Sequence, residues 1–259
     1  MRGADTGHAD SAGVPWEGRE FQANPHANDD GRAPRELEAA LRGFREGTAG
    51  ADAVVDAVRS VRLLVPLVAE LGEAGENEHG QLIDKSQELS IVTVAGPDGR
   101  NVMPVFSSVD AMQHWNAAAR PIPVDGQRVA LAAASEQTDL VVIDPGSEHE
   151  FVVRRPALWA IAQSTGWRPA YDDPEVIACF SASVADEPAV QRVEISSGDP
   201  DHRLQGPEVI VRLTLAPGLD QQALSAVLSR LQQRWATETV IAERVDSMTV
   251  KLAAGPSPA

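Results

Sequence analysis

Six histidines, at positions 8, 26, 79, 114, 149 and 202, and a single cysteine, Cys179, bound the acid–base and nucleophilic chemistry open to this chain. No two histidines lie four residues apart and no H-E-x-x-H occurs, so the helical zinc face of a metalloprotease is missing. Glu76, Glu78, His79 and Asp84 could hold a divalent ion only if their glycine-rich surroundings folded around one. Asp199, Asp201 and His202 are close in sequence, but SSGDPDH reads as a turn between strands. One cysteine allows neither an intrachain disulfide nor a structural cysteine–zinc site. In the apolar run VIACF it reads as an inert, buried thiol. There is no G-x-x-x-x-G-K-[ST], no G-x-G-x-x-G after a strand and no G-x-S-x-G elbow. Ser/His/Asp triads assemble in space rather than in sequence. His114, Asp144 and His149 are therefore the set whose meeting in one pocket would signal an enzyme. The expectation is a chain with no catalytic residues, no cofactor and no metal.

The segment Met103-Pro104-Val105-Phe106-Ser107-Ser108 is the more informative one. A proline inside a strand removes one ladder donor, which places the strand at an edge or a bulge. An open edge can dock a peptide, and a proline can equally protect an edge from aggregation. Pro104, Phe106, Ser107, Ser108, Trp115, Asp144 and Ser147 are the candidate interaction surface, with 104–108 and 144–147 expected to adjoin.

The elements that would position these residues follow from periodicity. PRELEAALRGF sets Leu37, Leu41 and Phe44 on one helical face with Pro34 at its start. A second helix runs from Thr48 to Ser60, and Val61 to Val68 reads as a buried strand. LSIVTVAG and NVMPVFSS form a hairpin about Pro97-Asp98-Gly99-Arg100. Ser107 or Ser108 caps the helix DAMQHWNAAA, which Arg120-Pro-Ile-Pro breaks. GQRVALAAASE is helical, Leu140–Ile143 is a buried strand ended by Asp144-Pro-Gly146, and Glu150–Val153 is its hairpin partner. Arg155-Pro156 opens a helix that stops by Gly166. Glu175 to Val184 is either strand or short helix. Beyond ADEPA at 185–189, QRVEISS and EVIVRLTL alternate as strands. Asp220 caps QQALSAVLSRLQQRW, and ETVIAERV and SMTVKLA read as two more strands.

The fold class expected is α+β, with mixed sheets carrying packed helices and a C-terminal β-β-α-β-β two-layer unit. The domains expected are a flexible extension over 1–33, a first domain over 34–184, a second over 190–252 and a tail over 253–259. In the extension, Trp16 and Phe21 are isolated large apolar residues that could dock on the body.

With 43% apolar residues in 259 the chain can build a core, and with 4% aromatics it must build it from Val, Leu, Ile and Ala. Its 38 acids against 22 bases give a net charge of -16. Such a surface repels phosphate backbones, and no basic stripe interleaved with aromatics offsets it. Nucleic acid is not an expected partner. The longest apolar run, LLVPLVAEL, contains Pro66 and is too short to cross a bilayer. The first residues hold no apolar run of signal-peptide length. The expectation is a cytoplasmic protein without membrane partners.

From about Thr48 to Phe180 the chain resembles the N-terminal domain of the SseB family, named for enhanced serine sensitivity. LLVPLV, VMPVFSSVDAMQHW, GQRVALAAA and LVVIDPGSEHEFVVRRPALWAI carry the resemblance. Residues 190–252 are similar in arrangement to C-terminal domains of relatives, and the Ala/Gly/Asp/Val bias resembles actinobacterial members. The resemblance implies a cytoplasmic protein whose name records a phenotype and supplies no catalytic residues. A type III secretion translocon protein of the same name needs long apolar helices that this sequence lacks. The function expected is a non-catalytic protein-binding or scaffold module with an unknown partner or a second copy of itself. The alternative is a small-molecule sensor linked to amino acids, and an uncharacterised enzyme is a third reading.

Overall fold

The computed structural model describes residues 26–69, 75–76, 82–83, 89–91, 93–135, 138 and 140–256. Trp16, Phe21, Glu78, His79 and Asp84, and most of the acidic stretch after Ala69, lie outside these residues.

Helices α1 (Arg35–Arg45) and α2 (Ala51–Ser60) open the described fold. Leu37, Leu41 and Phe44 of α1 and Val54, Val55 and Val58 of α2 turn to one core, as their spacing requires. Strand β1 (Arg62–Ala69) follows, then the short pair β2 (Gly75–Glu76) and β3 (Leu82–Ile83). Next come β4 (Leu89–Ile91), β5 (Val94–Ala95) and β6 (Asn101–Val105). The predicted strand LSIVTVAG is thus divided between two sheets. Its first part pairs with β1 and only Val94–Ala95 pairs with β6. The turn between β5 and β6 is as expected: Gly99 has φ +82°, and the Asp98 carboxylate accepts the Arg100 N–H.

Helix α3 (Val109–Trp115) is capped by Ser108, whose Oγ accepts the Ala111 N–H at 3.1 Å. Arg120–Asp125 does more than break it. This segment is β7, an edge strand paired antiparallel to β1. Pro121 and Pro123, two residues apart, direct their missing N–H groups to the same side, and an outer edge tolerates that. Helix α4 (Gly126–Ser135) then lies against α2 so closely that a Cβ on Gly126 would stand 1.9 Å from the Val58 carbonyl oxygen. Strands β8 (Leu140–Ile143) and β9 (Phe151–Arg154) and helix α5 (Arg155–Gln163) complete this half.

The sheet order is β5-β6-β8-β9, with β6 and β8 parallel. Met103, Val105, Val141, Ile143, Phe151 and Val153 face α1, α2, α4 and α5. The alternate residues Val102, Leu140, Val142 and Val152 are buried on the other face with Leu204. Burial on both faces explains why Leu140–Ile143 reads as a continuous apolar run.

A second core begins at Ala170 and takes in Val176 and Phe180 of α6 (Pro174–Ser183), the helical outcome of the undecided segment. It continues with β10 (Val190–Ser197), β11 (Val209–Leu215), α7 (Gln221–Thr237), α8 (Thr239–Arg244) and β12 (Met248–Ala254). Val227, Leu231 and Trp235 line the buried stripe of α7. The C-terminal unit is therefore β-β-α-α-β, correcting the β-β-α-β-β expectation. Thr239, Val240 and Ile241 suggested a strand, yet the Glu238 carboxylate caps a helix there and Ile241 packs into the core. β12 runs parallel to β11, and α7 with α8 forms the crossover that such a return needs.

Candidate functional site

Because β6 and β8 are parallel, Ser107 and Asp144 leave their strands side by side. The Asp144 Oδ1 accepts the Ser107 N–H at 2.7 Å, and its Oδ2 accepts the Ser107 hydroxyl at 2.6 Å. Asp144 has φ 47°, a left-handed conformation that aspartate tolerates. Burial pushes its carboxyl above the usual range, against the two Ser107 bonds and nearby His149. The expected adjacency of 104–108 and 144–147 is thus present, as a buried clasp. The Ser107 carbonyl accepts from Arg62, which also binds Asp29 and the Arg32 carbonyl. Burial raises the Asp29 carboxyl, but Arg62 and the Gly31 N–H hold it below its usual range.

The open edge inferred from Pro104 is not there. β6 lies inside its sheet, between β8 on one side and β5 and Leu64 of β1 on the other. The Phe106 N–H and carbonyl bond Leu64, so Pro104, two residues earlier, turns its missing donor to the gap between β5 and β1. Pro104, Phe106, Ser107 and Asp144 are buried and offer no docking surface. Trp115 is half-buried with its ring 5.3 Å from that of Phe106. Ser147 closes the turn after β8, its Oγ accepting the His149 N–H. His114 is exposed and bonded to the Asp110 carbonyl on its own helix, so it forms no triad with Asp144 and His149.

A second polar constellation joins the two cores. Arg154, 2% exposed, donates to Asp199 at 2.6 Å, to Asp246 at 3.0 Å and to the Gly206 carbonyl at 3.0 Å. Arg100 adds a further bond to Asp246 at 3.0 Å. Asp199 also accepts the N–H groups of Arg203, Leu204 and Gln205, which shapes the loop between β10 and β11. That loop sets His202 flat on Phe151 at 4.7 Å and edge-on to Phe44 at 5.3 Å. His202 is buried, its Nδ1 meets the Val152 carbonyl and its Nε2 has no hydrogen-bond partner among the described residues. Burial pushes its pKa down to about 4. Glu208 is buried close by, its Oε2 accepting the Asp246 N–H at 2.6 Å, and burial pushes it up to about 7. The carboxylates here are saturated by internal donors. Among the described residues no group of His, Cys, Asp and Glu is arranged to hold a metal ion.

Two clefts flank this junction. One of about 370 Å³ is lined by Trp159, Trp167, Arg168 and Arg244, and another of about 650 Å³ by Arg100, Pro207 and Asp246. A groove between α6, α7 and α8 holds Cys179. The thiol is half-buried rather than fully buried, and burial followed by Glu238 pushes it up, away from the reactive thiolate.

A further accessible feature is the outer edge of β12. Among the described residues only β11 pairs with this strand. Met248 and Leu252, on the side facing the helices, are 37% and 45% exposed. Lys251 on the opposite side lies in register with Arg212. Nothing in the alternation of SMTVKLA marked it as an edge, since its neighbours were set by the crossover rather than by a hairpin.

The architecture is that of an α+β protein whose polar clusters brace the fold. Residues 37–160 match the family described as SseB protein N-terminal domain, so the first half of the chain carries a domain of that family. The match ends within α5 and does not reach the C-terminal unit. No curated protein matches the chain. Among the described residues no helix is long and apolar enough to cross a membrane.

Proposed function

We propose that the chain is a non-catalytic, cytoplasmic protein-binding module that receives an extended segment of a partner on the free edge of β12. The observation that carries this is the exposure of Met248 and Leu252 along a strand paired on one side only. An edge strand supplies unpaired backbone groups, and exposed apolar residues beside them give a partner strand something to cover. The Ser107–Asp144 and Arg154–Asp199–Asp246 clusters are read as braces because their carboxylates are bonded internally. The test is affinity capture from native lysate with the full chain and with Leu252→Asp. A stoichiometric partner held by the first and lost by the second is expected. Equal capture by both places binding elsewhere.

The cleft beside Trp159, Trp167 and Arg168 favours a second reading, small-molecule sensing. Its volume of about 370 Å³ suits a small ligand. A thermal-shift screen checks it, and no stabilisation by any amino acid or nucleotide removes the simple form.

A further inference from the structure

We propose that the segment added to β12 alternates apolar and acidic side chains, an inference that rests on the edge-binding reading above. Register sets what a fourth strand would meet. On the helix side the rows are Val193–Leu213–Leu252 and Ile195–Val211–Val250, so an added strand extends an apolar row at each. On the other side the row is Glu194–Arg212–Lys251, and it ends at the free edge on Lys251. Glu194 is engaged by Arg192 at 2.8 Å, while no ion pair is formed by Arg212 or Lys251 among the described residues. This exposed face carries Arg192, Arg212 and Lys251 against Glu194 alone, within a chain of net charge -16. Directly opposed residues of neighbouring strands stand about 4.5–5.5 Å apart, where opposite charges attract and like charges repel. The occupant's residue across from Lys251 is therefore acidic, and its neighbours on either side are apolar.

Three further points favour this occupant. The distant acids of the chain act weakly on it, because charges beyond about 8 Å are largely screened at physiological ionic strength. A second copy fits less well, since two β12 edges paired about Lys251 would set lysine against lysine. The strand is also held ready at both ends. Ser247 and Gly255 bond Val209 and Leu215, and Asp246 is fixed by Arg154 and Arg100, so binding orders little.

The test uses the full chain with strand-length acetylated peptides: alternating Val and Glu, alternating Val and Lys, and the Val/Glu peptide with a central proline. Fluorescence anisotropy gives affinity and amide hydrogen exchange locates the site. Expected are binding of the Val/Glu peptide with new protection of β12 amides and binding by the Val/Lys peptide at least about tenfold weaker. The proline peptide is expected to lose binding, and Lys251→Glu to reverse the charge preference. Equal binding of both charged peptides with β12 protected overturns the acidic reading and leaves edge binding standing. Absence of protection on β12 with either peptide at millimolar concentration overturns both. A dimer by light scattering with β12 amides already protected makes a second copy the occupant and overturns the proposal.

Discussion

Arg154, the last residue of β9, and Asp246, just before β12, meet at 3.0 Å with side chains only 2% exposed, although 92 positions separate them. The same guanidinium holds Asp199. One buried cation thus ties the SseB domain to the strand whose free edge is proposed to bind.

Removing that cation leaves two buried carboxylates facing each other. Arg154→Ala is expected to lower stability by about 3–5 kcal/mol, the cost of breaking a buried pair from one side. Arg154→Met with Asp199→Asn and Asp246→Asn is expected to recover most of it. Urea denaturation of the single and combined variants checks this.

Glu208 and His202 titrate in opposite senses. Glu208 is raised from 4.5 to about 7, so its contribution is full below pH 4.5 and is lost as pH rises through 7. His202 is lowered from 6.5 to about 4, so its contribution is present above pH 6.5 and is lost as pH falls through 4. Each is worth about 3 kcal/mol over its window, at about 1.4 kcal/mol per unit. Their slopes offset each other between pH 4.5 and 6.5. Glu208→Gln is expected to make stability climb with pH from 4 to 6.5, and His202→Asn to make it fall from 4.5 to 7. Denaturation midpoints across that range show whether the two slopes separate.

Ser107→Ala strips the Asp144 carboxylate of its hydroxyl donor in a buried site. A loss of about 1–3 kcal/mol is expected. Asp144→Ala is expected to cost more, since it also frees the Ser107 N–H and puts alanine at φ 47°. Thermal unfolding of the two variants ranks them.

Leu37 and Leu252 separate core from edge. Leu37 is fully buried, and Leu37→Ala is expected to cost about 2–5 kcal/mol. Leu252→Ala is expected to change stability by less than about 0.5 kcal/mol while weakening partner binding. A comparable loss from both would show that Leu252 supports the fold.

Sequence reasoning reached the elements whose periodicity is set locally. Leu37, Leu41 and Phe44 mark α1, Asp98-Gly99 marks the turn between β5 and β6, and the continuous run of β8 reports burial on both faces. It also brought Ser107 toward Asp144. It failed where long-range pairing decides. Pro104 suggests an edge only until Leu64 is known to close one side of β6. The β-branched residues of α8 suggest a strand only until Ile241 is known to pack into the second core from a helix that Glu238 caps. Arg154 carries no local signal, because its carboxylates come from 45 and 92 residues downstream.

Those separations also set an order of assembly as the chain emerges from a ribosome. The first core can close once α5 is out, yet Arg154 then faces neither of its carboxylates. Asp199 arrives with the β10–β11 loop and Asp246 only after α8, followed by β12. Until then β11 is itself an unpaired edge bearing Val209, Val211 and Leu213. The interval between α7 and β12 is thus the stretch of synthesis in which a nascent chain is most open to wrong strand pairing.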